Sequence, residues 1–308
     1  MRHFMTGLVM ALLAIGSARA DAPITLSCTA TTDCASAFAA ANHGFFARHG
    51  LEVKVTPIAL NSNIPAALMS DSIQIGGPTP PVLLQAVDGG LDLVALATAT
   101  VTAAQTVDGA GVLARPGSGI DSQADLVGKR VGVPGIGAFL DVLFRQSLKL
   151  HGIDPAKIVF VEVTFPTMGD TLKSGAVDAV VSANPFMSRI IAAGTGKMVN
   201  NFLADAPFGE PQIIYASTRA WANAHPAQVA AFRAAIAEGA AFVNANPDAA
   251  REDVANFTHL PIEVLRSMAM TLASPPITTA QIDWWVGVMR GQKMLQTAIN
   301  ATALIQPQ

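Results

Sequence analysis

The stretch that decides the fold is residues 130–163, which read RVGVPGIGAFLDVLFRQSLKLHGIDPAKIVFVEV. The apolar segment Arg130–Val133 predicts a strand, and a turn rich in glycine follows it. Phe139–His151 predicts a helix that ends at Gly152, because glycine is favoured just past a helix C-terminus. Ile158–Val163 is apolar again and predicts a second strand. Strand, helix and strand in this order indicate a βαβ unit and a parallel sheet.

The same alternation extends from this unit in both directions. Further strands are predicted at 24–27, 51–57, 73–75, 91–97, 111–115, 179–182 and 213–216. Helices are predicted between them at 35–49, 65–69, 81–89, 169–174 and 187–193. From Ala220 the pattern is helical only, with helices predicted at 226–244, 247–257, 261–273 and 279–292. Two α/β runs and a helical tail predict a discontinuous first lobe, 21–110 plus 217–308, and an inserted second lobe, 111–216.

The first twenty residues have the pattern of an export signal. A basic start leads into the apolar run Phe4–Ile15, and Ala18-Arg19-Ala20 supplies the small residues that a signal peptidase accepts. The alternative is a membrane anchor, but the run is shorter than the roughly 20 residues that span a bilayer. We therefore predict a signal peptide over 1–20, with cleavage after Ala20 and a periplasmic mature protein that is not embedded in the membrane.

The amino-acid composition excludes some classes of binding partner. Hydrophobic residues make up 51% of the chain and charged residues 13%, as is typical of a folded globular protein. The net charge of -3 provides no basic surface for nucleic acid. Cys28 and Cys34 are the only cysteines. They either form a disulfide across a short loop or remain separate, partly buried thiols, and no further ligands for a metal lie close to them in sequence.

Two glycine-rich turns are candidate ligand contacts. Gly135–Phe139 joins a predicted strand to a helix, where free backbone N–H groups favour an anion; the alternative is a plain tight turn. Gly76–Pro81 occupies the matching position in the first run, and Thr79 either caps the helix or contacts a ligand. Gly194–Lys197 lacks the first glycine and the Ser or Thr of a phosphate loop, so it is predicted to be a turn.

No catalytic motif is evident in the sequence. The six histidines include no HExxH pattern, and no GxSxG elbow or paired carboxylates stand out. We therefore predict a protein that is not an enzyme and that needs no cofactor.

Three segments resemble those of ABC-importer substrate-binding proteins. They are GFFARHGLEV at 44–53, DLVGKRVGV at 125–133 and LKSGAVDA at 172–179, in the order that this family shows. The branch they resemble most serves sulfonates, nitrate, taurine and precursors of the thiamine pyrimidine. The resemblance implies an α/β, two-lobed, periplasmic-binding-protein-like (type II) fold with two crossover strands and a C-terminal helical segment. It places the two crossings near 108–112 and 212–217.

The resemblance also implies a solute held between the lobes by loops at strand C-termini. The candidate ligand-binding residues on these loops are Thr31, Asp33, Gly77, Thr79, Thr100, Gly137, Ala138, Phe165, Asn184, Phe186 and Glu210. With few cations and several Thr, Phe and Pro residues, such a cleft favours a small, partly apolar solute. Anionic groups of that solute would be held by backbone N–H groups and hydroxyls rather than by arginine. Arg189 is the one exception considered, and the favoured alternative is that it lies on the solvated face of its helix. Glu210 would offer a carboxylate to an amino group.

The function implied is capture of a small solute, such as a sulfonate, nitrate, taurine, a pyrimidine precursor or a small aromatic acid. The partners implied are an importer permease and its ATPase, with the binding protein as a monomer. One alternative is a periplasmic sensor that docks on a receptor. Another is an enzyme of thiamine-pyrimidine synthesis on the same scaffold, whose Cys-rich iron-binding stretch this chain lacks.

Overall fold

The structure, a computed structural model, describes residues 23–307. The strands are β1 (Ile24–Cys28), β2 (Val53–Pro57), β3 (Ile75–Gly76), β4 (Leu93–Val101), β5 (Ala110–Ala114), β6 (Arg130–Val133), β7 (Val159–Glu162), β8 (Ala179–Ala183), β9 (Lys197–Asn200), β10 (Pro211–Thr218) and β11 (Leu272–Ala273). The α-helices are α1 (Ala35–Asn42), α2 (Phe45–Arg48), α3 (Ile64–Met69), α4 (Pro80–Asp88), α5 (Phe139–Leu150), α6 (Met168–Ser174), α7 (Phe186–Ala192), α8 (Arg219–Ala224), α9 (Pro226–Ala245), α10 (Pro247–Thr258), α11 (Ile262–Arg266), α12 (Thr279–Gly291) and α13 (Ala301–Leu304). The predicted signal peptide and its cleavage position lie outside the described residues.

The strands form two sheets with the same internal plan. The first sheet has the order β2-β1-β3-β10-β4-β11, and the second has the order β7-β6-β8-β5-β9. In the first sheet β1 runs parallel to β2 and β3, while β10 is antiparallel to β3 and β4. In the second sheet β6 runs parallel to β7 and β8, while β5 is antiparallel to β8 and β9. The predicted two-lobed α/β fold with helix-flanked sheets is confirmed. The sheets were predicted to be parallel and are mixed, because β10 and β5 run antiparallel to their neighbours.

Two segments connect the sheets. The chain leaves the first sheet after Val101 and enters the second at Ala110, close to the predicted crossing. It returns between Asn200 and Pro211, which is earlier than the predicted crossing at 212–217. That prediction is wrong because the whole of β10 is paired in the first sheet, beginning with Pro211 opposite Val101.

Apolar packing continues from one sheet's helices to the other's between α5 and α12. Phe139 and Leu143 of α5 belong to the same buried cluster as Trp285 and Met289 of α12. The rings of Phe139 and Trp285 are 5.6 Å apart between centroids. Two polar contacts join the same helices: Lys149 Nζ donates to the Gly291 carbonyl at 2.8 Å, and Gln292 Nε2 donates to that of Val142 at 2.9 Å. We call this contact the α5–α12 seam.

Three local predictions are corrected. The helix predicted at 35–49 is two helices, because Gly44 adopts a left-handed φ of 72° that interrupts it. The helix predicted at 261–273 ends at Arg266, and Leu272 and Ala273 instead pair with β4 as β11. The tail after Ala220 is therefore not purely helical. β9 was not predicted, because it is a four-residue edge strand that directly follows a glycine turn.

Candidate functional site

A cavity of about 410 Å³ lies between the two sheets, at the carboxyl ends of their parallel strands. The first sheet and its loops contribute Thr29, Thr31, Thr32, Asp33, Ala59, Asn61, Thr79, Gln212, Ile213, Ser267, Met268, Ala269 and Thr271, a set that we call the polar wall because hydroxyls, amides and one carboxylate dominate it. The second sheet contributes Ala110, Pro134, Ala138, Phe139, Leu140, Phe165, Ala183 and Asn184, a set that we call the apolar wall. The connecting segments add Gln105, Thr106, Asp108, Gly109 and Leu203.

Six of the eleven candidate residues line this cavity, namely Thr31, Asp33, Thr79, Ala138, Phe165 and Asn184. They come from both sheets, so the structure brings together loops that are far apart in sequence. Their common feature is their position just after a strand, which is the feature from which they were predicted.

The other five candidates lie outside the lining, each for a structural reason. Gly77 packs against the sulfurs of the Cys28–Cys34 pair, and Thr100 is fully buried within β4. Gly137 has both backbone groups engaged by other residues of the protein. Phe186 lies behind the lining and stacks on Phe165 with ring centroids 5.3 Å apart. Glu210 lies on the return crossing, where its backbone pairs with Thr102.

The loop that carries Thr31 and Asp33 is closed by a disulfide. Cys28 at the end of β1 is bonded to Cys34 at the start of α1, which resolves the alternatives that the sequence left open. Inside the loop, Thr31 Oγ1 donates to Asp33 Oδ2 at 2.8 Å. Thr271, which lies between α11 and β11, donates from its Oγ1 to the Thr32 carbonyl at 3.0 Å. The loop is thus tied down at both ends and at its centre.

Asp33 is the carboxylate of the polar wall. Burial raises the pKa of Asp33 above its usual range, and the hydrogen bond from the Thr31 hydroxyl opposes that shift. No lysine, arginine or histidine is among the residues that line the cavity, so no cation of the lining neutralises this carboxylate. Arg189 is exposed on α7 and does not reach the lining.

Asn61 was missed by the sequence analysis and holds Thr79 in place. Its Nδ2 donates to the Gly77 carbonyl at 3.0 Å, and its Oδ1 accepts from the Thr79 N–H at 2.8 Å. Both ends of the amide are thus used inside the protein. Thr79 is only 7% exposed, and its Oγ1 has no hydrogen-bond partner among residues 23–307. Since Thr79 lines the cavity, this hydroxyl is left for a bound molecule.

The predicted anion site at Gly135–Phe139 is filled by the protein's own carboxylates. The Gly137 N–H donates to Asp141 Oδ2 at 2.7 Å, and the Ile136 N–H donates to Glu162 Oε2 at 3.1 Å. Burial raises the pKa of Asp141, while the nearby Arg145 guanidinium, 2.7 Å from Oδ1, opposes that rise. Two of the N–H groups expected to face an anion, those of Ile136 and Gly137, are therefore already engaged.

Asn184 supplies the one polar side chain on the apolar wall. Its Oδ1 accepts from the Ser188 hydroxyl at 2.6 Å and from the Ser188 N–H at 3.2 Å. This pair of bonds fixes the amide plane and leaves the NH2 group as the donor available to the cavity. The aromatic rings of Phe139 and Phe165 and the side chain of Leu140 make up most of the remaining surface.

The loop 267–271 was missed because it falls inside the helix predicted at 261–273. Ser267, Met268, Ala269 and Thr271 line the cavity, since the chain leaves α11 and returns to the edge of the first sheet there. Gln212 was missed for a related reason: it belongs to β10, which begins at Pro211, two residues before the predicted start at Ile213. Only a knowledge of strand pairing would have revealed either contribution.

Metal binding and membrane insertion are two further functions on which the described residues bear. Between residues 23 and 307, no three or more His, Cys, Asp or Glu side chains are grouped so as to hold a metal ion. In the same part of the chain, no helix combines the length and apolar character needed to cross a bilayer.

Comparisons with known proteins agree with this architecture. A family model described as NMT1/THI5 like matches residues 31–250. A Haemophilus influenzae protein whose name assigns it provisionally to thiamine biosynthesis is 29% identical over 180 residues, which make up 58% of this chain and 54% of that protein. The chain thus spans about half the length of this curated relative.

Solved structures share the fold over nearly the whole chain. The alkanesulfonate-binding protein SsuA from Xanthomonas axonopodis pv. citri, bound to MOPS, has a TM-score of 0.77 at 17% identity, with 94% of this chain and 99% of that chain covered. The periplasmic nitrate-binding protein NrtA from Synechocystis PCC 6803 has a TM-score of 0.74 at 17% identity, with 91% and 84% covered. The fold is that of periplasmic solute-binding proteins.

Proposed function

The chain belongs to the NMT1/THI5-like family, and from this premise we propose that it binds a small solute between its two halves and delivers it to an ABC importer. Each sheet with its helices is then one lobe, and the segments 102–109 and 201–210 are the hinge. The protein acts in the periplasm as a monomer and performs no chemistry on the solute. Its partners are the importer's permease and ATPase.

The observation that carries this proposal is the cavity shared by the two sheets. Its volume of about 410 Å³ falls in the range of roughly 300–1,000 Å³ that small-molecule sites occupy. Because its walls come from different sheets, a bound solute contacts both lobes and favours the closed arrangement. A permease that recognises the closed shape would then receive only the loaded protein.

The solute classes suggested by the sequence are sulfonates, nitrate, taurine, pyrimidine precursors and small aromatic acids. The solved structures named for binding alkanesulfonate and nitrate support a solute-binding function for this fold. At 17% identity these structures support the fold only. The solute of this chain must therefore be inferred from the residues of its own cavity.

The test is a thermal-shift screen of the mature protein against those classes, followed by titration calorimetry of each hit. Ala138→Trp is the matched blocking variant, because Ala138 lines the cavity and is 6% exposed. Ala227→Trp on the exposed face of α9 is the control for adding an indole ring. We expect one-to-one binding that Ala138→Trp abolishes and Ala227→Trp retains. Steady turnover of a hit, or binding that survives Ala138→Trp, would contradict the proposal.

A further inference from the structure

The charged side chains that line the cavity are all acidic. Asp33 lies on the polar wall and Asp108 on the outgoing connection, whereas the lining has no basic side chain. Asp108 is exposed and accepts a hydrogen bond from Asn201 Nδ2 at 2.6 Å, so it faces solvent at the rim. Asp33 is partly buried, and its carboxylate accepts one side-chain hydrogen bond within the described chain, from Thr31. An anionic solute would meet an unneutralised carboxylate in this cavity.

Helix N-termini are the usual alternative to basic side chains for holding an anion, and three of them near this cavity, those of α5, α4 and α1, are poorly suited to that role. The turn before α5 gives its N–H groups to Asp141 and Glu162. The first turn of α4 begins Pro80-Pro81, and proline has no N–H to donate. The turn that leads into α1 contains Asp33 itself. The turn before α5 has thus committed two N–H groups, the start of α4 lacks two, and the turn before α1 carries a carboxylate, so all three favour an anion less than an ordinary helix N-terminus does.

The polar wall instead offers acceptors and neutral hydroxyls. Besides the Asp33 carboxylate, the Thr79 Oγ1 is unpartnered although the residue is more than nine-tenths buried. A hydroxyl in this setting can accept a hydrogen bond from a ligand N–H group as readily as it can donate one. The facing Phe139, Leu140 and Phe165 suit an apolar body or an aromatic ring.

We infer that the solute of this protein is a small amine, amidine or amino-substituted ring whose N–H groups bind Asp33, and that sulfonates, nitrate and carboxylates are excluded. This inference rests on the proposed function and narrows its solute class. The nitrogen group of the solute lies against the polar wall, and its carbon skeleton lies against the apolar wall. A charged hydrogen bond of this kind is worth about 10- to 100-fold in affinity.

The experiment uses pairs of small molecules that match in shape and differ in charge. The probes are benzamidine with benzoate, butylamine with butyrate, and 2-phenylethylamine with phenylacetate, each tested by thermal shift and calorimetry on the mature protein. In parallel, the protein is purified from periplasm under mild conditions, and any retained molecule is identified by native mass spectrometry. We expect binding of cationic members, retention of a nitrogenous molecule, and no shift with the anionic members.

The variants assign the contact to Asp33. Asp33→Asn should weaken the cationic probe about 10- to 100-fold, whereas Asp33→Glu should retain part of the affinity. Asp283→Asn on the exposed face of α12 removes the same charge at a distance and should leave the affinity unchanged. Unaltered melting temperatures in the absence of probe would show that the variants fold.

The pH dependence gives a second readout. Because a cation binds the ionised carboxylate, affinity should rise with pH as Asp33 loses its proton, and should fall towards pH 4. Tyr215 is the titratable neighbour of Asp33 on β10; burial raises the pKa of Tyr215, so it stays neutral over this range. Its hydroxyl is bonded to Ser36 at 2.9 Å.

The outcomes separate this inference from the proposed function. Binding or retention of an anion, or binding of an amine that Asp33→Asn leaves intact, would overturn the inference while the solute-binding function stands. If the probes, the wider solute screen and native mass spectrometry all show no bound molecule, the proposed function fails and the inference with it.

Discussion

The two halves of this protein share a strand plan and differ in what they present to the cavity. In both, a parallel group of three strands is flanked by an antiparallel strand that carries the chain between sheets. The first half presents hydroxyls, amides and Asp33, and the second half presents mainly aromatic and aliphatic side chains. One half is thus equipped for recognition through hydrogen bonds, and the other for covering an apolar surface.

The halves also differ in how firmly their cavity loops are held. On the polar wall, the disulfide closes the loop 28–34, Thr271 anchors its centre, and Asn61 fixes Thr79. On the apolar wall, Phe165 is held by stacking on Phe186. Preorganised polar groups lose little entropy on binding, whereas apolar contact tolerates movement. The comparison indicates a polar wall fixed by a disulfide and long-range hydrogen bonds, which faces an apolar wall fixed by ring stacking and local hydrogen bonds.

Removing the disulfide tests the rigid half and should give the largest effect. Replacing both Cys28 and Cys34 with serine frees a short loop, and the chain-entropy relation predicts a loss of about 2 kcal/mol in unfolding free energy. Affinity for the solute should fall more than tenfold, because the loop carries Thr31 and Asp33. Chemical denaturation and calorimetry would measure the two losses. A variant that is less stable yet binds with full affinity would show that the disulfide does not order the site.

Truncating a side chain of the apolar wall tests what the second half contributes to binding. Phe165→Ala removes a ring that contacts the solute, and the lost apolar burial predicts a drop in affinity of about tenfold. Phe208→Ala is the control, because this ring is 59% exposed and lies outside the cavity. Titration calorimetry of both variants checks the expectation. Equal affinities for the two variants would mean that the second half does not cover the solute.

Removing one hydroxyl from the polar wall tests whether a single oxygen atom contributes to recognition of the solute. Thr79→Val should reduce affinity about fivefold, in line with the loss of one neutral hydrogen bond. It should leave the unfolding free energy unchanged, because Oγ1 has no partner in the part of the chain described here. Thr98→Val is the matched control: its Oγ1 is also buried and unpartnered, but it does not line the cavity. Loss of affinity in Thr98→Val would show that the effect is not local.

Glu210 lies where the two halves join. Among these substitutions, its replacement should have the smallest effect, and that effect is on stability. Burial raises the pKa of Glu210 to about 7, and its Oε2 has no partner within residues 23–307. A carboxyl whose pKa is raised in the folded state stabilises below its unfolded pKa and loses that contribution as pH rises through 7. Glu210→Gln should therefore raise the melting temperature by about 2–4 °C at pH 8, which corresponds to about 1 kcal/mol, and much less at pH 5.

The control for this prediction is Glu263→Gln. The carboxyl of Glu263 is exposed and pairs with Arg266 at 2.7 Å, so its removal should not increase stability at pH 8. Differential scanning calorimetry at the two pH values distinguishes the variants. A pH-independent gain in Glu210→Gln would show that the carboxyl is not desolvated in the folded protein.

The sequence predicted most of the fold because its glycines and apolar runs mark element ends locally. The segments around Gly152 and Gly175 show this, since each contains a helix that stops at glycine before the next strand. Thr31, Asp33 and Asn184 were found on the same basis, since loops after parallel strands converge. Asn61 and Thr271 could not be found in this way, because their roles depend on contacts with residues 18 and 239 positions away. The occupied N–H group of Ile136 was invisible for the same reason, because Glu162 reaches that turn from the end of β7.

The α5–α12 seam couples the two halves in their response to heat. Since Phe139 and Leu143 share one buried cluster with Trp285 and Met289, neither half can lose its core without exposing part of the other's. Domains joined by such a shared core melt as one cooperative unit, whereas domains joined only by linkers melt separately. Calorimetry of the unliganded protein should accordingly show a single transition, although α12, the helix that enforces this, contributes no residue to the cavity lining.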